Sequence, residues 1–395
     1  MELHSSYLQP QSEIDDPLKE LTKKPFYVSE QETFRSVLNE TLPDGWDDFI
    51  HTLKKDDFTI SETQLQKIQN SATYKWTFKD NHIIINVNTS KPLSEKDFEI
   101  DTTSVRSDII SGDFLYPILN SSITIEPEEN KLNIILTPNT ENSKCSSDND
   151  WPVLISGGDN IDSFSSFLLA DVSMRSNQID FFFYWGIKSA SNGCNLAQKS
   201  VGIMYLTLKD FNKSMYWFTN LSLSNKDEFA RTVLAQFLFE AQDENFDPRL
   251  SENILVILAR ERVKEAFYYL GYLHLQKLDN WNNDEKLAVK YLEIAAKQGD
   301  KPSLQLLAEC YSNGVGCEKD IQKGMMYSKM ADDDAENEVT RSVQNNINDE
   351  NNNNNNNIKN DEDSQFPIAS VVVSAFALVG TAIMGRYIFR KVFRK

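Results

Sequence analysis

Cysteine, histidine, glycine and positive charge are all scarce in this 395-residue chain. The four cysteines, Cys145, Cys194, Cys310 and Cys317, show no CxxC spacing. That excludes a thiolate zinc site and a disulfide framework, and fits reduced thiols in a cytosolic setting. The four histidines, His4, His51, His82 and His274, lack metal-ligand spacing, and no nucleophile-elbow, zincin or phosphate-loop sequence occurs. No catalytic, cofactor-binding or metal-binding residue is assigned, and a non-enzymatic chain is expected. Lys and Arg number 40 against 59 Asp and Glu, a net charge of −19 that repels phosphates and excludes nucleic acid as a partner. The opening MELHSSYLQPQSEIDD has neither the apolar core of a secretory signal nor the arginines of a transit peptide.

What is present is 40% apolar with many aromatics, enough for two or three globular domains. Residues 1–25 are expected to be loose, and 26–70 to form short amphipathic helices around QETFRSVLNETL and GWDDFIHTLKK. From Tyr74 onward the apolar residues alternate. YKWTF (74–78), HIIINVN (82–88), DFEID (97–101), SITIEP (122–127) and KLNIIL (131–136) read as strands, with turn-like joints at 79–81 and 129–131. Strands without intervening helices predict an antiparallel β-sandwich over 71–156. IDFFFYWGI (179–187) is either a buried first helix of the next domain or an exposed docking patch.

The period then changes. EAFYYLGYLHLQKLDNWNNDEKLAVKYLEIAAKQGD (265–300) is followed by a second unit from Lys301, in which Leu270 aligns with Leu307 and Ala288 with Gly324. A weaker unit spans 199–223, with Gly202, Ser214, Trp217 and Leu221 at corresponding places, and helices over 227–243 and 249–262 fill the gap. A repeat near 36 residues with two amphipathic halves predicts a helix-pair solenoid over 160–335. Small residues let paired helices approach, while Tyr and Leu fill the next groove.

The C-terminal part changes composition again. Residues 336–363, an Asn-rich stretch with almost nothing apolar, predict a solvated linker. Residues 366–385 carry no charge over 20 positions, enough to span a bilayer as a helix. Only RYIFRKVFRK (386–395) follows, with Arg386, Arg390, Lys391, Arg394 and Lys395 as a membrane-sorting segment. This pattern predicts a tail-anchored protein with its bulk in the cytosol. A moderately apolar span with a basic trailing segment resembles anchors of the mitochondrial outer membrane, with peroxisomal or endoplasmic reticulum membranes as alternatives.

Two resemblances to known families sharpen these expectations. GVGCEKDIQKGMMYSKMA (314–331) resembles the Sel-one-like repeat, a TPR relative, through Gly314, Gly316, Asp320, Lys323, Gly324, Tyr327 and Ala331; the preceding unit keeps AAKQGD (295–300). The resemblance implies an adaptor solenoid that binds proteins, with a membrane protein quality-control component of the endoplasmic reticulum as the alternative. The strand region resembles the CS domain of NudC-type proteins and co-chaperones. It does so through Tyr74-x-Trp76, the second strand ending at Val87, Gly112–Leu119, the ladder Leu132–Leu136, and Trp151 with Leu154. It implies heat-shock chaperones or their clients as partners, with Tyr74, Trp76 and Trp151 as possible partner-binding residues, although such aromatics also serve as core. The whole is expected to be an α+β multidomain chain: sandwich, solenoid, linker and one C-terminal membrane helix.

Overall fold

The computed structural model describes residues 8, 16–54, 57, 73–88, 94–126, 131–139, 151, 153–240, 245–278 and 282–332. The expected linker, membrane span and basic tail lie outside them. The chain separates into two compact units, one running from Thr22 to Asp227 and the other combining the first 21 residues with those from Glu228 onward.

In the first unit, α2 (Pro25–Val37) and α3 (Trp46–Ile50) precede eight short strands. These are β1 (Thr73–Lys79), β2 (His82–Asn88), β3 (Glu99–Ile100), β4 (Ser104–Arg106), β5 (Gly112–Phe114), β6 (Ile118–Glu126), β7 (Lys131–Pro138) and β8 (Ile155–Gly157). They form two antiparallel four-stranded sheets, ordered β1-β2-β7-β6 and β3-β4-β5-β8. The β1–β2 hairpin turns on Asp80 and Asn81, both left-handed with φ of 52° and 62°, the geometry a two-residue type I′ turn demands and these residue types tolerate. That turn fixes the register Lys79↔His82, and the pleat then puts Ile83, Ile85 and Val87 on one buried face. On that face Ile83 and Ile85 meet Leu136 and Ile134 of β7, while Tyr74, Trp76 and Phe78 of β1 flank them on the other side. Strands β4, β5 and β8 have only three residues each, too few for alternation to announce them.

Helices follow in antiparallel pairs. The first unit holds α4 (Ser163–Arg175) with α5 (Ile179–Ser191) and α6 (Asn195–Thr207) with α7 (Phe211–Asn225). The IDFFFYWGI run is buried within α5, the second helix of its pair and not the first, with Phe181, Phe182, Tyr184 and Trp185 inside. The second unit holds α8 (Glu228–Glu240) with α9 (Pro248–Arg260), α10 (Lys264–Leu275) with α11 (Glu285–Lys297), and α12 (Lys301–Asn313) with α13 (321–332). Within the segment expected to be loose, Pro17–Leu21 forms a helical turn, α1, whose Leu21 is fully buried and which packs on α9. Leu8 is buried too, and its carbonyl accepts from the Arg260 guanidinium.

The same small-residue contact recurs in all five pairs. A side chain built at Gly186 would lie 3.7 Å from Ala170 Cβ, Ser214 Oγ donates to the Gly202 carbonyl at 3.0 Å, and Ser251 Oγ donates to the Ala235 carbonyl at 2.6 Å. A Cβ at Gly271 would sit 3.2 Å from the Ala288 carbonyl, and one at Gly324 2.9 Å from the Ala308 carbonyl. Close approach at one place per pair leaves the larger side chains to fill the seams between pairs. Acidic residues cap the helices: Asp210, Asp247, Asp284 and Asp320 each accept a backbone N–H at the start of the second helix of a pair. Part of the chain's acid excess is therefore spent where an N-terminal helix dipole favours it.

Candidate partner-binding surfaces

The three aromatics singled out in the strand region have different surroundings. Tyr74 is buried; its ring meets Phe164 edge-on at 5.3 Å and its hydroxyl lies 2.9 Å from Ser165 Oγ. Ser165 Oγ in turn donates to Asp162 Oδ2 at 2.5 Å, and the Asp162 carboxylate also accepts the backbone N–H groups of Ser111, Phe164 and Ser165. Burial raises the Asp162 carboxyl above its ordinary range despite these donors, and burial with the neighbouring Asp162 pushes the Tyr74 phenol well up. This chain of hydrogen bonds fastens β1 to the start of α4. Trp151 is fully buried, edge-on to Tyr116 at 5.3 Å. Trp76 is half-buried on the inner face of β1, an edge strand, and is the one of the three with surface to offer.

Sequence reasoning passed over Trp46. Its Nε1 donates to the Ser156 carbonyl at 2.9 Å, and its ring lies 5.1 Å from Phe181 and 5.2 Å from Trp185. The GWDDF helix thus ties β8 to α5, and the five aromatics of 179–187 were the available signal for such a partner. Likewise α2 lies on α7, with Phe34 against Tyr216 and Trp217 and the Tyr27 hydroxyl donating to Asn220 Oδ1 at 2.8 Å.

Two polar networks mark the second unit. Tyr269 donates to Gln236 Oε1 at 3.0 Å, and Gln236 Nε2 donates to the Glu240 carboxylate at 3.1 Å. Burial pushes the Glu240 carboxyl up to about 7, outweighing that hydrogen bond. Gln236 and Tyr269 occupy first helices of successive pairs, so the repeat period is the signal that could have joined them. The other network lies at the seam between α11 and the last pair. Tyr311 donates to Glu293 Oε1 at 2.8 Å, and Lys323 Nζ donates to the Tyr311 hydroxyl at 2.5 Å while sitting 3.9 Å over its ring. The hydrogen bond to Tyr311 raises the Lys323 pKa. Deeper, His274 is fully buried, its Nε2 3.3 Å from Glu252 Oε1 and its ring stacked on Tyr291.

Among the described residues no group of His, Cys, Asp or Glu is arranged to hold a metal ion, and no helix is long and apolar enough to cross a membrane. Arg386, Arg390, Lys391, Arg394 and Lys395 fall outside the described residues. Large exposed apolar side chains gather on α13, where Ile321, Met325, Met326 and Met330 face outward.

The Sel1 repeat family model matches residues 195–220, 264–300 and 302–331. These are the α6–α7 pair, the α10–α11 pair and the last pair. The α4–α5 and α8–α9 pairs share their small-residue contact without matching. Two solved structures are similar. One is a protective antigen of uropathogenic Escherichia coli strains displaying an SLR fold, at 17% identity and a TM-score of 0.36, covering 44% of this chain. The other is a Sel1 repeat protein from Oxalobacter formigenes, at 20% identity and a TM-score of 0.35, covering 43% of this chain and 73% of its own. The chain spans 38% of the first of these proteins. No curated protein matches. Sel1 repeats are generally protein-interaction scaffolds and typically non-enzymatic, and they are found in the C-terminal helical region of this chain.

Proposed function

We propose that the chain is a tail-anchored adaptor, in which a sheet domain and a Sel1-repeat scaffold hold protein partners at the cytosolic face of an organelle membrane. The observation that carries this reading is the order of parts in the sequence. A partner-binding scaffold is followed by an Asn-rich, polar linker, an uncharged run over 366–385 and a ten-residue basic segment. The mitochondrial outer membrane suits the moderate hydrophobicity of the run and its five trailing cations, which can bind anionic headgroups at about 1 kcal/mol each. The CS-like landmarks point to heat-shock chaperones or their clients as partners, with Trp76 as the reachable contact.

Alkaline carbonate extraction of cells expressing the full chain, with protease added to intact organelles, tests the reading. The chain is expected in the carbonate-resistant pellet, and protease should remove all but a small C-terminal fragment. Release into the supernatant overturns the anchor, and protection of residues 1–340 overturns the orientation. Replacing the five basic residues by glutamine should move a fluorescent fusion of the tail off mitochondria; unchanged location removes their role as an address. Affinity purification with and without Trp76→Ala identifies whether chaperones depend on the sheet domain.

A further inference from the structure

A repeat array needs a polar outer face at its last repeat, because each inner repeat is covered by the next. The internal equivalent of α13 is α11, with Ala288 standing where α13 has Gly324. On that alignment Val289 corresponds to Met325. Val289 is only 5% exposed, because the turn joining the two helices of the next pair lies over it: a Cβ at Gly316 would be 3.1 Å from Val289 Cγ2. Met325 is 67% exposed. Beside it Ile321 is 51% exposed, and a second i,i+4 row, Met326 and Met330, is 49% and 44% exposed. The stacking surface of the array is thus left apolar and open among the described residues.

The sequence limits what covers it. Residues 333–365 hold five apolar side chains, Ala335, Val339, Val343, Ile347 and Ile358, among many acidic and amide ones, so the segment directly following α13 has far less apolar surface to offer than the run beyond it. The next apolar segment is 366–385. At helical spacing it carries the row Ile368, Val372, Phe376, Val379 and Ile383. A 33-residue polar connection (333 to 365) has a reach of about 30 Å and gives an effective concentration on the order of millimolar. Methionine suits such a partner, since its unbranched thioether chain adapts to Ala, Val, Leu or Gly without a fixed jigsaw.

We propose that the Met-rich face of α13 is a cis-acting cradle for the chain's own segment 366–385, covering that segment whenever no bilayer holds it. This deepens the tail-anchor reading and rests on it for the second state only. The apolar run is sheltered on the last repeat before membrane insertion and leaves the cradle on insertion, exposing the end of the scaffold to partners. The scaffold would then present α13 only at the membrane.

The test uses the full chain made in a membrane-free translation system, with a photo-crosslinking benzoylphenylalanine at Met326. Mass spectrometry maps the adducts, and a mixture of heavy- and light-isotope chains separates cis from trans. The expected result is a cis adduct to residues 366–385, with yield about tenfold lower in Met325→Glu/Met330→Glu, since both positions are exposed and the charges oppose only apolar docking. Unchanged circular dichroism of that variant shows that its fold is intact. Added phosphatidylcholine/cardiolipin vesicles should abolish the adduct. Trans adducts to a second copy, or no adduct to 366–385, overturn the proposal. A cis adduct that persists in the presence of vesicles with the chain in the carbonate supernatant keeps the cradle and sinks the membrane reading. Persistence with the chain in the carbonate pellet sinks the release step of the proposal.

Discussion

The sheets and the helix pairs close their cores over different distances along the chain. Ile83 on β2 pairs with Leu136 on β7, 53 residues on (136 − 83), and every residue of that face depends on a register set elsewhere. Gly271 meets Ala288 only 17 residues on (288 − 271), and the same contact returns in each helix pair. Local, repeated contacts make stability close to a sum of units and their neighbours, whereas non-local strand pairing stands or falls together. The helix pairs can therefore drift in sequence between matches, as α8–α9 does, while the sheets tolerate little.

The largest effect is expected at Gly316, whose φ is +68° and whose substitution would drive a Cβ into the Glu285 carbonyl. Gly316→Val should cost about 4 kcal/mol, from left-handed strain and overlap with backbone that cannot step aside. Hydrogen exchange should show lost protection from α10 through α13; an unchanged pattern would mean that seams between pairs bend easily and that the local rule is wrong. Next comes the non-local side of the contrast. Ile85→Ala, at a fully buried site between Trp76 and Ile134, should cost about 3 kcal/mol. Its protection loss should reach from β1 through α7, since these elements share one compact unit. Loss confined to the strands would detach the sheets from α4–α7.

A smaller effect is set by pH. Burial raises the Glu240 carboxyl from an ordinary 4.5 to about 7, so the folded chain holds this proton more tightly than the unfolded chain. Its contribution is favourable below about 4.5, is lost as pH rises through about 7, and is flat beyond. Glu240→Gln should remove that slope and raise stability at pH 8 by on the order of 2 kcal/mol, read from denaturant midpoints across pH. The smallest change is Tyr74→Phe. It deletes one hydroxyl from the Tyr74–Ser165–Asp162 chain while Ser165 keeps its bond to Asp162, so about 1 kcal/mol should be lost in chemical denaturation. A loss several times larger would make this bolt between β1 and α4 the main tie of the first unit.

Legibility followed the same division. The five strands read from alternation are present, because β1, β2, β6 and β7 are long enough for period two to show, and β3 lies within 97–101. Strands β4, β5 and β8 were not named, since three residues carry no period and their pairing is decided by distant partners such as Asp113 with Gly157. Helices expected over 227–243 and 249–262 fall at Glu228–Glu240 and Pro248–Arg260. The Sel1-like units were legible because Gly, Ala and Tyr recur at a fixed spacing. Illegible were the bolts: nothing in GWDDF says that Trp46 reaches Ser156 and Trp185, and nothing in YKWTF says that Tyr74 reaches Ser165. Both contacts join segments about 90 or more residues apart, where no local rule selects a partner.

The placement of indole rings has an optical consequence. Of the six tryptophans, Trp46, Trp76, Trp151, Trp185 and Trp217 belong to the unit from Thr22 to Asp227, and Trp281 alone falls in the rest. Trp46, Trp151, Trp185 and Trp217 are buried, so the native emission should sit toward the blue and shift red chiefly when that first unit opens. The helical unit from Glu228 onward, rich in tyrosine instead, would unfold almost in the dark at indole wavelengths. The chain thus carries its own two-colour record of which half gives way first.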